Sequence, residues 1–222
     1  MKAAVIVYPG SNCDRDLAVA FRQAGAEVAM VWHKDTELPA GSDIVGVPGG
    51  CSYGDYLRCG AIAAQSPISR ALVAFVEAGG HAIGICNGFQ VLTETGLLPG
   101  ALMRNAGLKF VCRTVGLLVG TGDSPFTRGM AAGDILHLPI AHHDGNYIAD
   151  PETLRALRDQ DRIAFTYLDN PNGSVADIAG VLSENRRVLG LMPHPERAVD
   201  KAQGGTDGAA VFRAIAGLVQ PA

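Results

Sequence analysis

The sequence predicts an α/β protein in which helices flank a mostly parallel central sheet. Over the first half of the chain, short apolar runs rich in β-branched residues alternate with amphipathic segments of about ten residues, the pattern of βαβ units. The apolar runs lack polar alternation, as expected of strands that are buried on both faces. With 222 residues, of which 48% are hydrophobic and 18% charged, the chain can form a core without disulfides or a metal ion.

The first half of the chain is predicted to contain four strands and three helices. Apolar residues at spacings of three and four mark the helices, and a glycine follows each helix as a stop signal. The strands are expected at residues 2–8, 27–32, 43–47 and 81–85, and the helices at residues 14–24, 68–78 and 87–95.

The second half is less regular, and its apolar runs predict further strands and one closing amphipathic helix. The strands are expected at residues 109–119, 135–141, 163–167, 178–182 and 188–192, and the helix at residues 208–218. Residues 170–173, Asn-Pro-Asn-Gly, predict a turn. Because no repeat, linker or low-complexity segment divides the sequence, we expect a single domain over residues 1–222.

The charge balance argues against a nucleic-acid or membrane partner. The chain has 18 basic and 22 acidic side chains, a net charge of −4 at pH 7, and no Lys/Arg cluster. No apolar run approaches the ~18 residues of a membrane span, and the apolar N-terminal run is too short for a signal peptide. Five cysteines, an odd number without a CxxC pair, fit a reducing compartment, so we expect a cytoplasmic protein.

The most informative segment is Gly84-Ile85-Cys86-Asn87-Gly88, at the junction of a predicted strand and a predicted helix. A nucleophile on such an elbow needs glycines nearby because the backbone turns sharply there. The elbow presents the side chain at the carboxyl edge of the sheet, and the helix N-terminus favours a thiolate. Cys86 is therefore the predicted nucleophile. The other cysteines are predicted to be buried apolar side chains: Cys13, Cys51, Cys59 and Cys112.

A thiolate nucleophile needs a proton shuttle, and among the six histidines His194 is the best candidate. It follows a predicted buried strand in Pro193-His194-Pro195-Glu196, where the two prolines hold the chain extended. His194 and Glu196 are two residues apart and are expected to point the same way. A carboxylate beside an imidazole fixes its tautomer, which is the role of the third member of a catalytic triad.

Gly49 and Gly50 follow another predicted strand, where backbone N–H groups can approach a ligand closely. An oxyanion hole needs two such donors near the attacked carbon. The predicted pair is the N–H of Gly50 and the N–H of Asn87, the residue directly after the nucleophile.

Taken together, these motifs resemble the class I (triad) glutamine amidotransferases. The resemblance rests on residues 48–50 (Pro-Gly-Gly), 84–90 (Gly-Ile-Cys-Asn-Gly-Phe-Gln) and 193–196 (Pro-His-Pro-Glu). Three longer strings are similar to the glutaminase subunits of phosphoribosylformylglycinamidine synthase, in de novo purine biosynthesis: residues 9–16 (PGSNCDRD), 52–58 (SYGDYLR) and 194–197 (HPER). The match extends from the first predicted strand to the last motif.

The resemblance implies a flavodoxin-like class I glutamine amidotransferase fold and a glutaminase that works with a synthetase subunit. Cys86 would attack the side-chain amide of glutamine, and His194, oriented by Glu196, would transfer the protons. Gly49 and Gln90 would contact the glutamine substrate. Ammonia would pass to the synthetase partner, which uses ATP and Mg²⁺ on formylglycinamide ribonucleotide. A small accessory subunit is also expected, and no cofactor or metal ion is expected in this chain.

One segment departs from the family pattern, because residues 142–145 are His-His-Asp-Gly where the family usually has His-Gly-Glu-Gly. Adjacent strand residues point to opposite faces, so His142 and His143 do not favour a metal site. We expect instead an altered loop at the mouth of the site or on the partner surface. Asp55 and Arg58 would either contact the partner or form a surface ion pair that contributes little.

Three other functions remain open from the sequence. The chain could be the glutaminase subunit of another amidotransferase, a cysteine hydrolase or peptidase on the same scaffold, or a non-catalytic subunit. Residues 52–58 argue against the first, and Gln90 with the late His-x-Glu argues against the second. The intact residues Cys86, His194 and Glu196 argue against the third, which the altered residues 143–144 leave open.

Overall fold

The computed structural model describes residues 1–219 and places nine strands of this part of the chain in one central sheet. The strands are β1 (Lys2–Val7), β2 (Glu27–Trp32), β3 (Ile44–Val47), β4 (His81–Ile85), β5 (Ala101–Met103), β6 (Val111–Val119), β7 (Ile135–His142), β8 (Asn146–Ile148), β9 (Ile163–Tyr167), β10 (Ile178–Leu182) and β11 (Val188–Leu191). The order across the sheet is β2-β1-β3-β4-β11-β10-β9-β6-β7, and β5 pairs with β8 in a separate sheet.

Parallel pairing joins the first part of this sheet, from β2 through β1, β3 and β4 to β11. Antiparallel pairing joins the remainder, from β11 through β10, β9 and β6 to β7. Only β10 and β6 therefore run against the others, which confirms the predicted mostly parallel α/β sheet. The carboxyl ends of β1, β3, β4 and β11 meet at one edge, where ligands bind in open α/β sheets.

Helices cover both faces of the parallel part of the sheet. The described residues contain six α-helices: α1 (Asp14–Gln23), α2 (Ala61–Ala64), α3 (Pro67–Glu77), α4 (Asn87–Glu94), α5 (Pro151–Asp159) and α6 (Ala209–Ala216). A Cβ on Gly46 would meet Leu17 of α1 at 2.7 Å, and a Cβ on Gly84 would overlap Leu92 of α4. Gly84 pairs with Val47, the residue after Gly46, so the two glycines face opposite sides. Glycine at each position lets one helix pack directly on the sheet.

The sequence predicted the main strands and helices to within two residues at most ends. The closing helix is shorter than predicted, because α6 ends at Ala216 and a 3₁₀ turn follows at Gly217–Val219. The predicted turn at residues 170–173 is confirmed: the Asn170 side chain accepts hydrogen bonds from the N–H groups of Asn172 and Gly173.

Four elements were not predicted: α2, α5, β5 and β8. Helix α5 did have a signal, because Asp150 caps it by accepting from the Thr153 N–H at 2.8 Å and Pro151 occupies its first turn. Strands β5 and β8 are three residues long and depend on each other for pairing, so no local pattern marks them. Within residues 1–219, no helix has the length and apolar character needed to cross a membrane.

Candidate active site

Cys86 lies on a sharp elbow between β4 and α4. Its backbone has φ 53° and ψ −108°, a conformation that costs a non-glycine residue about 1–3 kcal/mol. The flanking glycines make this turn possible, because a Cβ on Gly88 would overlap the Val47 carbonyl and a Cβ on Gly84 would lie 2.6 Å from the Gly88 oxygen. The predicted elbow geometry is therefore present. Such stored strain is typical of residues that must be held in one orientation for function.

The Cys86 side chain is buried at the start of α4. The backbone carbonyl of Cys86 accepts hydrogen bonds from the N–H groups of Phe89 and Gln90, and these bonds begin the helix. The positive end of the helix dipole therefore lies next to the sulfur. On the other side, the Sγ lies 3.8 Å from the Ala141 carbonyl oxygen of β7.

His194 and Glu196 form a buried hydrogen-bonded pair just after β11. The Nδ1 of His194 lies 2.6 Å from Oε1 of Glu196, and both side chains are at most 2% exposed. The main chain is also fixed, since the His194 N–H donates to the Pro139 carbonyl at 2.8 Å. Burial opposes a charge on the imidazole, but the Glu196 carboxylate and the Cys86 sulfur outweigh it and hold the pKa of His194 well above its ordinary value. The pair is thus arranged to carry a proton.

The other ring nitrogen of His194 is left for chemistry. Within residues 1–219, His194 Nε2 is buried and has no hydrogen-bond partner, and the same holds for Oε2 of Glu196. Buried polar atoms without partners are rare in folded proteins and often mark catalytic groups.

The predicted nucleophile Cys86 and the predicted histidine His194 both lie next to Gly49. A Cβ built on Gly49 would lie 2.8 Å from Cε1 of His194 and 3.4 Å from Cβ of Cys86. The imidazole and the nucleophile therefore border the same small gap above the Gly49 backbone. The structure brings together Cys86, His194, Glu196 and Gly49, which the sequence placed in four separate roles around one reaction.

The predicted oxyanion donors flank this gap. Val47 of β3 pairs with Gly84 of β4, so the segments that follow the two strands run side by side. Gly50 has φ +134°, and a Cβ there would lie 2.7 Å from the Asn12 nitrogen, so only glycine fits. Within the described residues, the N–H groups of Gly50 and Asn87 donate no hydrogen bond to protein. Both donors are available to a ligand.

Side-chain amides tie the elbow to the neighbouring loops. Asn87 Nδ2 donates to Asp55 Oδ1 at 3.0 Å and to Gln90 Oε1 at 2.8 Å, and Asn87 Oδ1 accepts from the Ser52 N–H at 3.1 Å. Gln90 Nε2 donates to the Asp144 carbonyl at 2.6 Å. Gln90 therefore joins α4 to the loop after β7, and its predicted contact with substrate stays a prediction.

The unusual loop at residues 142–145 lies beside the elbow helix, because its Asp144 carbonyl accepts the bond from Gln90. His142 is buried and bonded to Asn105 Oδ1 at 3.1 Å through Nδ1, and burial together with His194 lowers its pKa to about 4. His143 is about one third exposed and lies 3.6 Å from Asp144. Both His143 and Asp144 line a cavity of about 490 Å³, which Asp55 also borders. None of Cys86, His194 and Glu196 lines this cavity, so the expected position at the mouth of the site stays a prediction.

The suggested surface pair between Asp55 and Arg58 is wrong. Asp55 contacts Asn87 in the site, whereas Arg58 binds both carboxylate oxygens of Glu94 at 2.8 Å. Arg58 is 66% exposed, so this pair contributes little to stability. The sequence did not indicate this pairing because the two residues lie 36 positions apart.

The prediction that four cysteines are buried apolar side chains is wrong for three of them. Cys51 and Cys112 are exposed, and Cys59 is intermediate. Partial burial of each sulfur and the nearby Asp55 carboxylate raise the pKa of the Cys51 thiol to about 11 and also raise that of the Cys59 thiol, so neither thiol is activated. Cys13 is buried as predicted, but it lies beside the triad and is not an inert core residue.

Cys13 also belongs to the one cluster of possible metal ligands in residues 1–219. Its sulfur and ligand atoms of His194 and Glu196 lie within 4.8 Å of one another. Glu196 already binds the imidazole, and a nitrogen of the Arg197 guanidinium lies 3.1 Å from the Cys13 sulfur. A positive side chain in this position disfavours a cation.

Comparison with known proteins places the chain in one family. Residues 1–208 match the CobB/CobQ-like glutamine amidotransferase domain. The chain is 73% identical to phosphoribosylformylglycinamidine synthase subunit PurQ of Ruegeria sp. (strain TM1040), over 100% of both chains. It is 72% identical to the subunit of the same name from Ruegeria pomeroyi, also over 100% of both chains.

A solved structure agrees with these relatives. One chain in the structure of PurLQS from Thermotoga maritima is 44% identical and superimposes with a TM-score of 0.91, covering 99% of each chain. The protein belongs to the CobB/CobQ-like glutamine amidotransferases and, within them, to the family of PurQ subunits of phosphoribosylformylglycinamidine synthase.

Proposed function

We propose that the protein is the glutaminase subunit of phosphoribosylformylglycinamidine synthase and hydrolyses glutamine to glutamate and ammonia. The observation that carries this proposal is that Cys86 and His194 both border Gly49 while Glu196 binds the Nδ1 of His194. The PurQ relatives supply the acceptor reaction, in which the ammonia converts formylglycinamide ribonucleotide to formylglycinamidine ribonucleotide.

In the first half of the reaction, the Cys86 sulfur attacks the side-chain amide carbon of glutamine. The carbonyl oxygen becomes negative and accepts hydrogen bonds from the N–H groups of Gly50 and Asn87. The protonated His194 then gives its Nε2 proton to the departing nitrogen, so ammonia leaves and a glutamyl thioester forms on Cys86. The raised pKa of His194 supports this step, because it keeps the imidazole charged until the leaving group needs the proton.

In the second half, a water molecule attacks the thioester. His194, now neutral, accepts the proton of this water, and the carbon–sulfur bond breaks to release glutamate and the Cys86 thiolate. Glu196 holds the imidazole in one tautomer through Nδ1 and stabilises its charged form in both halves. Gly49 and Gln90 border the glutamine side chain in this proposal.

Ammonia passes in this proposal to a synthetase subunit, which carries the ATP and Mg²⁺ chemistry, with a small accessory subunit completing the complex. The PurLQS assembly of the Thermotoga relative supports a complex of this kind. We place the reaction in the cytoplasm, where the five cysteines, all unpaired in the structure, would stay reduced.

The test is Cys86→Ala in the complex reconstituted with its synthetase and accessory subunits. Product formation from glutamine should disappear, because no thioester can form, whereas product formation from free ammonium should stay at the wild-type rate. Cys112→Ala is the matched control, since Cys112 is exposed on β6, and it should preserve both activities. Loss of the ammonium-dependent reaction in Cys86→Ala, or survival of the glutamine-dependent one, would contradict the proposal.

A further inference from the structure

Arg197, to which the mechanism assigns no role, contacts the segment of residues 9–16 beside the triad. Arg197 donates through Nη2 to the Cys13 sulfur at 3.1 Å and through Nε to Asp16 Oδ2 at 3.1 Å. The residues are more than 180 positions apart in the chain, so the contact joins the loop after β1 to the turn that carries the triad histidine. Cys13 is 2% exposed.

The backbone of Cys13 is hydrogen-bonded to the segment at residues 49–50, which carries the proposed oxyanion donor of Gly50. Its N–H donates to the Gly49 carbonyl at 3.3 Å. The Gly49 carbonyl and the Gly50 N–H belong to one planar, trans peptide unit, so they point in opposite directions. A bond that fixes the carbonyl therefore also fixes the direction of the Gly50 N–H, the proposed oxyanion donor. The Cys51 N–H bond to the Gly10 carbonyl at 3.1 Å holds the next turn of the same segment.

The side chain of Cys13 faces the triad. Its sulfur lies 3.2 Å from the Cβ position of Gly49, the point that also borders Cε1 of His194 at 2.8 Å. Arg197, which holds the sulfur, directly follows Glu196 in the chain. Cys13 thus contacts the oxyanion peptide through its backbone and the histidine turn through its side chain.

We propose that Cys13 is a positioning residue for glutamine hydrolysis, which fixes the distance between the oxyanion donor of Gly50 and the turn of His194. Arg197 is its anchor. The inference rests on the proposed function, because it assigns Cys13 a part in the same reaction. If this is correct, removal of the Cys13 sulfur lets the turn that carries His194 shift relative to the peptide unit between Gly49 and Gly50. The residues that bind glutamine stay in place.

The experiment compares Cys13→Ala with Cys13→Ser in the reconstituted complex. Alanine keeps the backbone bond and removes the acceptor for Arg197, so kcat for glutamine hydrolysis should fall about tenfold or more, with KM changed by less than about twofold. Serine restores a polar acceptor and should return kcat to within about threefold of wild type. Cys112→Ala, on the exposed face of β6, is the control and should have wild-type kcat.

A double-mutant cycle with Arg197→Gln separates positioning from packing. If Cys13 and Arg197 act as one unit, the double variant should lose no more activity than the worse single variant. Wild-type kcat in Cys13→Ala, equal losses in the alanine and serine variants, or additive losses in the cycle would each overturn the inference. Failure of the proposed function would show separately, as a wild-type complex that makes no product from glutamine.

Discussion

A single methyl group on Gly49 tests how closely the catalytic groups are packed. In Gly49→Ala, the new Cβ would lie 2.8 Å from Cε1 of His194, 3.2 Å from the Cys13 sulfur and 3.4 Å from Cβ of Cys86. Carbon atoms in contact are normally about 3.5–4.0 Å apart, so the imidazole would have to move by roughly 0.7 Å or more. Gly49 does not need a positive φ, so the effect is one of space and not of backbone strain.

The imidazole has little freedom to make this movement. Its Nδ1 is held by Glu196 at 2.6 Å, and its backbone N–H is held by the Pro139 carbonyl at 2.8 Å. A misplacement near 1 Å can lower a rate by about a hundredfold, so we expect kcat to fall by about thirtyfold to a hundredfold. Overpacking of this kind costs about 1–3 kcal/mol, which lowers Tm by roughly 2–12 °C in a chain of this length.

The assay measures glutamine hydrolysis and thermal unfolding of Gly49→Ala in parallel, with ammonium-dependent synthesis as the control for complex assembly. Gly107→Ala is the matched variant, because a Cβ at Gly107 meets no atom within 4 Å and its φ is not positive. It should match wild type in both measurements. A Gly49→Ala variant with wild-type kcat and Tm would refute the close packing of His194 and Cys86 around this residue.

Three further predictions concern the triad, the elbow and an exposed helix cap. Burial opposes a charge on His194 and the Glu196 carboxylate overcomes it, so Glu196→Gln should lower the pKa of His194 and reduce kcat by about ten-thousandfold. The stability given by this raised pKa is present below about pH 6.5 and is lost as pH rises through the folded value; urea unfolding from about pH 6 to 9 should show that decline in wild type but not in Glu196→Gln. In Gly88→Ala the new Cβ would overlap the Val47 carbonyl, so Tm should fall; an unchanged Tm would contradict the elbow geometry. Asp150→Ala removes the exposed cap of α5 and should lower Tm by about 2–4 °C, with glutamine hydrolysis unchanged.

The parts of the site that the sequence predicted are those that a short segment determines by itself. Gly84 and Gly88 flank Cys86 because the elbow needs both, so the spacing alone revealed the nucleophile. His194 and Glu196 were also found from a short segment, but the predicted extended backbone is wrong: Pro195–Arg197 forms a 3₁₀ turn, and this turn brings the two side chains together. Local sterics act over a few residues, and such signals survive in a single sequence.

The remaining contacts depend on strand order, which no local pattern encodes. β4 lies between β3 and β11, and β11 follows it by about a hundred residues in the chain, so the neighbour of the nucleophile strand cannot be found from spacing. Cys13 was placed among the inert cysteines because its partner Arg197 lies 184 positions away. The motifs at residues 9–16 and 194–197 did indicate that the two segments are close. Each follows a strand of the parallel part of the sheet, and the carboxyl ends of these strands lie at one edge.

The antiparallel part of the sheet, which looked irregular in the sequence, contributes backbone carbonyls to the site formed by the parallel strands. β7 is the last strand in the sheet order, yet its Pro139 carbonyl binds the His194 N–H and its Ala141 carbonyl faces the Cys86 sulfur. The loop after it accepts the amide of Gln90, so the end of β7 is bonded to the elbow helix as well. The parallel strands therefore supply the nucleophile, the oxyanion donors and the histidine, while β7 fixes their relative positions. A chain with only the parallel half would carry the same reactive groups without the carbonyls that hold them in place.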